Sequence, residues 1–237
     1  MILITRPRTS SLEFQKKLKK LKINSEIQEL SKFRILKKQV KLSRCILLIT
    51  SPRSIDYLVK NKIVESCKEN KFIVIGKKST QRLKQLGCKK ILISAKDSNE
   101  LLKKSKLKLN EKSDVRFLCS NVYNKELVKA LKKMVFKISV IKVYETTKVK
   151  KLKKSIIVNL KSDKFSAIVF FSKFSIKAFF ELCRLEKVSR SCLKKIHYIC
   201  VSHRVGEFAE KRGYNVQFSA YPSEQSVLSL IKNLKLE

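Results

Sequence analysis

The sequence is poor in the residues that build common cofactor and metal sites, with four glycines, two histidines and no tryptophan. Neither G-x-G-x-x-G nor G-x-x-x-x-G-K-[ST] occurs, which argues against dinucleotide or ATP use. The seven cysteines are an odd number without a C-x-x-C pair, and His197 and His203 are not placed to complete a zinc site. No Ser/His/Asp set or pair of carboxylates stands out. These absences leave no motif for the commonest cofactor, metal or hydrolase chemistry.

Long apolar runs are also missing, and none approaches the roughly 18 residues that a membrane span needs. Residues 1–6 pass directly into an apolar run without the layout of a signal peptide. Cysteines without a disulfide framework suit a reducing compartment. We therefore expect a soluble cytoplasmic protein with buried thiols and no membrane partner.

Acidic residues are scarce, since 19 stand against 56 lysines and arginines and the formal net charge is +37. Such a charge predicts a polyanionic partner, either nucleic acid, anionic lipid or a small molecule. Eleven of the 56 are arginine, and the 45 lysines are scattered along the whole chain. This scatter favours solvated outer faces and an AT-biased genome over a nucleic-acid footprint. The alternative, a basic nucleic-acid-binding or regulatory α/β protein without enzymatic activity, stays open here, although the chain has no tryptophan for base stacking.

Short apolar runs alternate with longer amphipathic segments. The short runs are β-branched and apolar on both faces, as buried parallel strands are. Strands are predicted at 2–5, 45–50, 72–75, 91–94, 115–119, 138–143, 167–171, 198–201 and 216–218. Helices are predicted at 12–21, 54–64, 79–86, 124–134, 175–185, 205–212 and 224–234. The alternation predicts the α/β class, with parallel sheets and right-handed crossovers.

Two parts of the chain repeat one pattern of landmarks. The stretch ITSPRSI (49–55) is echoed by FFSKFSI (170–176), and each is followed by a further strand and turn, at Gly76 and at Ser202. From Gly76 to Gly87, and from Ser202 to Gly213, the distance is 11 residues in both cases. Matched spacing of this kind predicts two related α/β units.

In each unit a small polar residue follows a predicted strand. Open α/β sheets bind ligands outside the carboxyl ends of their strands, and free N–H groups at helix starts favour anions there. The alternative is that each serine only caps its helix. The residues that we expect to line one anion-binding cleft are Thr5, Arg6, Ser51, Gly76, Ser79, Ser120, Asn121, Ser172, Lys173, Ser202 and His203.

The order of these motifs resembles the uroporphyrinogen-III synthase family across essentially the whole chain. The matching stretches are ILITRP (2–7), TSPRSI (50–55), VIGKKS (74–79), DSNELL (97–102), VYET (143–146), FFS (170–172) and the region of Ser223 and Glu224. The chain departs from the family pattern at Lys173, where proline is usual, and at Ser202 and Val205, where glycine and a hydroxyl residue are usual.

The resemblance implies two similar doubly wound parallel-sheet domains, joined by two linker strands, with a cleft between them. By analogy, residues 1–33 and 150–237 form one discontinuous domain, residues 39–143 form the inserted domain, and residues 34–38 and 144–149 are linkers. The implied reaction cyclises the linear tetrapyrrole hydroxymethylbilane to uroporphyrinogen III, with inversion of ring D and loss of water, in haem biosynthesis. The family implies no metal or organic cofactor and no nucleic-acid partner, and we expect a monomer.

The resemblance also suggests roles for single residues. Tyr144 matches the family tyrosine proposed as general acid for loss of the hydroxyl, and a phenol with a pKa of about 10 can donate a proton at neutral pH. The alternative is a tyrosine that only packs and hydrogen-bonds. Ser51, Arg53 and Ser172 belong to the two matched turns. A periplasmic-type or nucleotide-binding module of the same topology is a third interpretation, because fold alone does not determine function.

Overall fold

The computed structural model describes residues 1–42, 44–110, 112–135 and 137–234. The chain divides into two compact units. Unit 1 consists of Met1–Lys32 and Thr147–Glu237, and unit 2 is Phe33–Thr146. Unit 1 is therefore discontinuous in sequence, with unit 2 inserted into it.

Strands and helices alternate through both units. The strands are β1 (Ile2–Ile4), β2 (Ser25–Ile27), β3 (Ser31–Ile35), β4 (Ile46–Ile49), β5 (Lys71–Ile75), β6 (Ile91–Ala95), β7 (Asp114–Ser120), β8 (Lys137–Lys148), β9 (Ala167–Phe170), β10 (His197–Cys200) and β11 (Val216–Phe218). The helices are α1 (Arg8–Lys20), α2 (Pro52–Lys60), α3 (Val64–Cys67), α4 (Lys77–Gln85), α5 (Ser98–Lys108), α6 (Lys125–Leu131), α7 (Lys154–Lys161), α8 (Lys173–Leu185), α9 (Arg190–Lys194), α10 (His203–Glu210) and α11 (Glu224–Asn233).

The two sheets repeat one strand order. Unit 1 has the order β2-β1-β9-β10-β11, and unit 2 has β8-β7-β4-β5-β6 with β3 added beside β8. All strand pairs in the first sheet are parallel. In the second sheet, the pairs β8–β7, β7–β4, β4–β5 and β5–β6 are also parallel. The predicted α/β class with parallel sheets in two related units is therefore confirmed.

Each sheet carries helices and a hydrophobic core on both faces, because successive strand residues point to opposite sides. In unit 1, Leu3 and Ile168 belong to the core on one face, while Ile4 and Val169 belong to the core on the other. Unit 2 shows the same alternation, with one core around β4 residue Leu47 and another around Leu48. Two covered faces explain why the strands read as continuous apolar runs.

The sequence-based prediction missed several elements. Helix α5 is rich in lysine and buries only Leu101 and Ser105, so its apolar stripe is too thin to read as an amphipathic pattern, although Asp97 caps it at Glu100 N, 2.9 Å away. Strand β8 continues to Lys148 rather than ending at 143; its register with β7 ends at Tyr144, and β3 lies on its other side. In the described part of the chain, no helix combines the length and the apolar character that crossing a membrane requires.

Candidate functional site

In unit 2, four neighbouring strands bring predicted site residues to one edge of the sheet. Ser51 follows β4, Gly76 follows β5, Ser120 ends β7 and Tyr144 lies in β8. The register of β7 and β8 pairs Ser120 with Tyr144, after a shift in register between Cys119 and Ser120. Because the strands are parallel, their carboxyl ends meet at this edge and form one row of polar groups.

Tyr144 is the most deeply placed titratable group of this row, and its side chain is buried. Burial raises the pKa of its phenol, since a phenolate would lose its hydration. The hydroxyls of Ser51 and Ser120 and the charge of Arg53 oppose that rise without cancelling it. The phenol is therefore protonated at neutral pH and lies among two hydroxyls and a cation.

Arg53 is held in place by groups that the sequence analysis did not single out. Its Nη1 donates to Asp56 Oδ2 at 2.9 Å, and Asp56 Oδ1 accepts from Arg82 Nη1 at 2.6 Å. The guanidinium also lies 3.6 Å from the ring centroid of Phe33. Asp56 thus joins α2 to α4, and its spacing of three residues from Arg53 on a helix was the signal for this pair.

Ser51 and Gly76 begin the two helices at this edge in different ways. Ser51 Oγ accepts from Arg53 N at 3.3 Å and caps α2. Gly76 has φ 100°, a conformation in which a side chain is strained, and the N-cap of α4 makes no side-chain hydrogen bond. Ser79, in the first turn of α4, is buried, so its hydroxyl is not at the surface of the edge.

Ser120 and Asn121 shape the turn beside Tyr144. Ser120 Oγ donates to Val122 O at 2.6 Å and accepts from Val122 N at 2.9 Å. Asn121 donates from Nδ2 to Thr146 O at 3.2 Å and accepts at Oδ1 from Thr146 N at 2.8 Å. The Asn121 side chain therefore ties this turn to the end of β8 and already uses both of its polar atoms.

In unit 1, Thr5 and Arg6 are engaged within the unit. Thr5 is buried, and its Oγ1 donates to Val169 O at 2.6 Å. Arg6 pairs with Glu224 and lies 4.1 Å from the ring centroid of Phe171. Burial alone would raise the pKa of Glu224, but hydrogen bonds from Lys17 and Arg6 outweigh burial and lower it. Glu224 therefore neutralises part of the positive charge at the end of β1.

The turn after β9 is closed by its own residues. Ser172 Oγ accepts from Ser175 N at 3.1 Å and caps α8, as Ser51 caps α2. Lys173 Nζ lies 3.4 Å from Glu207, whose pKa is lowered first by Lys211 and then by Lys173. The capping interpretation is thus correct for Ser172, and Lys173 occupies an exposed ion pair.

Ser202 and His203 begin α10 after β10. Ser202 is the N-cap residue but makes no side-chain cap hydrogen bond. Its φ of −169° is extended backbone, which any residue adopts. His203 is exposed; its Nε2 lies 3.0 Å from Glu210, and its ring centroid is 5.0 Å from that of Phe218.

Unit 1 also contains a basic cavity that the sequence analysis did not predict. Its volume is about 1070 Å³, and it lies between α1, β2 and the segment after β8. Two carboxylates, Glu26 and Glu29, line it together with six basic residues: Arg8, Lys32, Lys148, Lys150, Lys151 and Lys153. The cavity runs along β2 and past its end to Glu29, and the sequence-based strand prediction contained no strand at 25–27 from which to expect it.

The two edges differ in what they can do chemically. The cations of both edges are paired with carboxylates, Arg53 with Asp56 in unit 2, and Arg6 with Glu224 and Lys173 with Glu207 in unit 1. Unit 2 adds to its cation a protonated phenol and two hydroxyls. No group of three or more His, Cys, Asp or Glu side chains that could hold a metal ion occurs within residues 1–42, 44–110, 112–135 and 137–234.

Comparison with known proteins points to one family. A family model described as uroporphyrinogen-III synthase HemD matches residues 21–231, which is most of the chain. No curated protein matches the sequence.

Two solved structures share the fold over the full length. The crystal structure of uroporphyrinogen-III synthetase from Helicobacter pylori 26695 is 17% identical, with 99% of each chain covered and a TM-score of 0.66. A mutant uroporphyrinogen III synthase from the extremely thermophilic bacterium Thermus thermophilus is 14% identical, with 100% of each chain covered and a TM-score of 0.63. At these identities the likeness establishes the fold, and the family model carries the assignment.

Proposed function

The chain belongs to the uroporphyrinogen-III synthase family and is a cyclising lyase of porphyrin and haem biosynthesis, and from this premise we propose that Tyr144 is its general acid and that the strand-end residues contact its substrate. The family implies hydroxymethylbilane as that substrate. Family membership does not favour the alternative of a nucleic-acid-binding protein without enzymatic activity.

The proposed first step is loss of the terminal hydroxyl. Tyr144 donates its phenolic proton to this hydroxyl, which leaves as water, and the ring system is left as an azafulvene-like cation. Attack by the last pyrrole ring then forms the spirocyclic intermediate through which ring D is inverted. The proton lost from a pyrrole carbon at ring closure balances the proton that Tyr144 gives. Because spontaneous closure yields the type I isomer, the protein must hold the chain in the productive geometry.

One observation carries the assignment of Tyr144: its phenol lies with Ser51, Ser120 and Arg53 at the carboxyl edge of the unit 2 sheet. A buried phenol with a raised pKa stays protonated, which is the state that an acid needs. Asp56 neutralises part of the charge of Arg53 and so limits its repulsion of the developing cation.

Basic and polar groups at the strand ends would bind the substrate carboxylates. Every ring of hydroxymethylbilane carries an acetate and a propionate, so the ligand is a polyanion. We assign its binding to Thr5, Arg6, Ser51, Arg53, Gly76, Ser79, Ser120, Asn121, Ser172, Lys173, Ser202 and His203. The basic cavity of unit 1 adds further cations.

We also propose that the protein works in the cytoplasm as a monomer. All seven cysteines are free, and six of them are buried, which suits a reducing compartment. Subcellular fractionation and sedimentation of the purified full chain test the two parts separately.

The experiment supplies purified protein with hydroxymethylbilane, oxidises the products to porphyrins and separates their isomers. We expect the type III isomer to exceed type I, and a product mixture equal to the protein-free control would overturn the function.

Tyr144→Phe should lower kcat by roughly 10² to 10⁴, the usual range for a general acid. Tyr57→Phe is the matched control, since it removes a buried phenol of the same unit that donates to the Lys38 carbonyl. If Tyr144→Phe turns over as fast as Tyr57→Phe, Tyr144 is not the acid, whereas the fold and family remain unaffected.

A further inference from the structure

A second, smaller pocket lies in unit 1 among α8, α9 and α10. Its volume is about 550 Å³, which is within the range of small-molecule sites. Its arginine end lies away from the strand-end residues assigned to substrate binding, while Lys177, at its near end, is one helical turn from Lys173. Arg184 is 11 residues beyond Lys173 on α8, and at 1.5 Å per residue this places it ~16 Å further along the helix.

Three aromatic rings form the floor of this pocket: Phe180, Phe208 and Tyr214. The ring centroids of Phe180 and Tyr214 are 4.6 Å apart, and those of Phe180 and Phe208 are 5.9 Å apart. All three side chains are only partly buried, whereas Phe179 of the same helix is fully buried. The rings are tilted by 38° and 50° to one another, and Arg212 lies 3.7 Å from the ring centroid of Phe208. Phe180 and Tyr214 therefore offer a partly exposed apolar surface to solvent, and such a surface suits another ring.

The rim of the pocket is basic and unusually rich in arginine. Its four cations are Lys177, Arg184, Arg190 and Arg212, so three of four are arginine, against 11 of 56 in the whole chain. In a lysine-dominated sequence this concentration points to the properties that lysine lacks. Guanidinium groups bind carboxylate or phosphate with two parallel hydrogen bonds and stack on aromatic faces.

These guanidinium groups keep donors free for a ligand. Arg190 Nη2 donates to Arg212 O at 2.9 Å, and Arg212 Nη1 donates to Phe208 O at 2.8 Å, so each uses one of its five N–H groups. In the part of the chain that the structure describes, none of the four cations pairs with a carboxylate. The acid of the pocket, Glu181, pairs with Lys148.

We propose that this pocket binds a small planar aromatic molecule that carries an anionic group. Its ring lies against Phe180 and Tyr214, and its anion accepts paired hydrogen bonds from the arginines of the rim. Carboxylate and phosphate share this chemistry, so an aromatic carboxylate and a nucleotide are the two sources of such a ligand. The site is separate from the cyclisation chemistry and does not depend on the role assigned to Tyr144.

The test measures binding of 2-naphthoate and of AMP to the full-length protein by titration calorimetry, with 2-naphthamide and adenosine as uncharged counterparts. At least one anion should bind, and its uncharged counterpart should bind about tenfold more weakly or not at all. Preference for 2-naphthoate identifies a carboxylate site, and preference for AMP identifies a nucleotide site. Equal binding of anion and uncharged counterpart, or no binding of either anion, overturns the proposal.

Variants then place the binding in this pocket. The double variant Arg184→Lys/Arg212→Lys keeps the charge but loses the paired donors, and its affinity should fall about tenfold. Arg204→Lys, on α10 outside the pocket, and Arg6→Lys, at the end of β1, should bind as the unmodified protein does. Circular dichroism melting verifies that each variant is folded. Loss of affinity in either control equal to that in the double variant would place the binding elsewhere and refute the assignment.

Discussion

The turn after β5 in unit 2 and the turn after β10 in unit 1 occupy the same place in the two sheets, but each needs its glycine at a different position. In unit 2 the turn itself needs it, since Gly76 has φ 100°. In unit 1, Ser202 has extended backbone, and the glycine is Gly206, four residues later. A Cβ at Gly206 would lie 2.6 Å from both Phe218 and Val216. The backbone therefore accommodates serine at position 202, where the family usually has glycine. The close approach of α10 to the sheet instead requires glycine at position 206.

The serines that begin α2 and α8 give the opposite lesson. Ser51 and Ser172 have the same local role, because each accepts a hydrogen bond from a backbone N–H of the first helical turn. Ser51 also has the phenol of Tyr144 beside it, whereas the hydroxyl of Ser172 lies 2.8 Å from that of Ser175. The two interpretations of these serines, helix cap and site residue, are therefore compatible for Ser51, and a repeat in sequence does not guarantee a repeat in chemistry.

The largest expected effect on stability comes from placing a side chain at Gly206, where the neighbouring side chains leave no room for one. Gly206→Val should lower the free energy of unfolding by about 3 kcal/mol, the upper end of overpacking costs, because its Cβ already meets Phe218, Val216 and Cys200. Thr80→Val, four residues after Gly76 in unit 2, is nearly isosteric and should cost about 1 kcal/mol through lost hydrogen bonds. Urea unfolding measures both, and equal costs would remove the proposed difference between the two helices.

The turn residues themselves should differ by a smaller amount. Gly76→Ala forces a side chain into strained backbone and should cost about 1 to 2 kcal/mol. Ser202→Ala, at a position with extended backbone and no cap hydrogen bond, should change stability by less than ~0.5 kcal/mol. Thermal melting of the two variants side by side checks this, and a larger loss at Ser202 would contradict it.

Replacing either capping serine should cost the same stability, but the two replacements should differ in their effect on activity. Ser51→Ala and Ser172→Ala should each lower the free energy of unfolding by about 1 kcal/mol, the usual contribution of an N-cap. Ser51→Ala should also move the alkaline limb of the kcat profile to higher pH, because the Ser51 hydroxyl lowers the pKa of Tyr144. An unchanged pH profile in Ser51→Ala would separate Ser51 from the phenol.

The smallest effect concerns alkaline pH. The folded pKa of Tyr144 is raised by burial, so its contribution to stability is complete below the unfolded pKa of about 10 and is lost as the pH rises through the folded value. The Tyr144→Phe variant should therefore lose stability less steeply above pH 10 than the unmodified protein does. The two slopes should differ by at most about 1.4 kcal/mol per pH unit, and they should not differ from this source at pH 7. Tyr221→Phe, which alters an exposed ring, serves as the control. Parallel curves for Tyr144→Phe and the unmodified protein would show that the phenol does not titrate in this way.

Much of the fold was predictable because it depends on local patterns. Short β-branched runs become parallel strands wherever both faces are covered, and the spacing from Gly76 to Gly87 and from Ser202 to Gly213 reflects a repeated strand–helix unit. The lysine-rich helix α5 was not predictable in this way, since its thin apolar stripe acquires meaning only against the face of the sheet on which it packs.

The candidate site was predictable only in part. Its position at the strand ends follows from the class of fold, and Tyr144 came from a resemblance between motifs. The contacts made by Asp56 and by Glu224, and the clamp from Asn121 to Thr146, join residues that lie 25 or more positions apart or on different helices. The pair Arg53 and Asp56 is the exception. A linear pattern does not encode such contacts.

The sequence by itself determined the α/β alternation, the two related units, the helix-capping serines and the positive charge, because each depends on residue type and short spacing. Tertiary structure alone decided which polar groups meet. It brought the phenol of Tyr144 to the hydroxyls of Ser51 and Ser120, paired Arg6 with Glu224, and brought three arginines and three aromatic rings to one pocket. The physical reason is that hydrogen bonds, ion pairs and burial depend on distances of a few ångströms, and packing of the sheets and helices sets those distances.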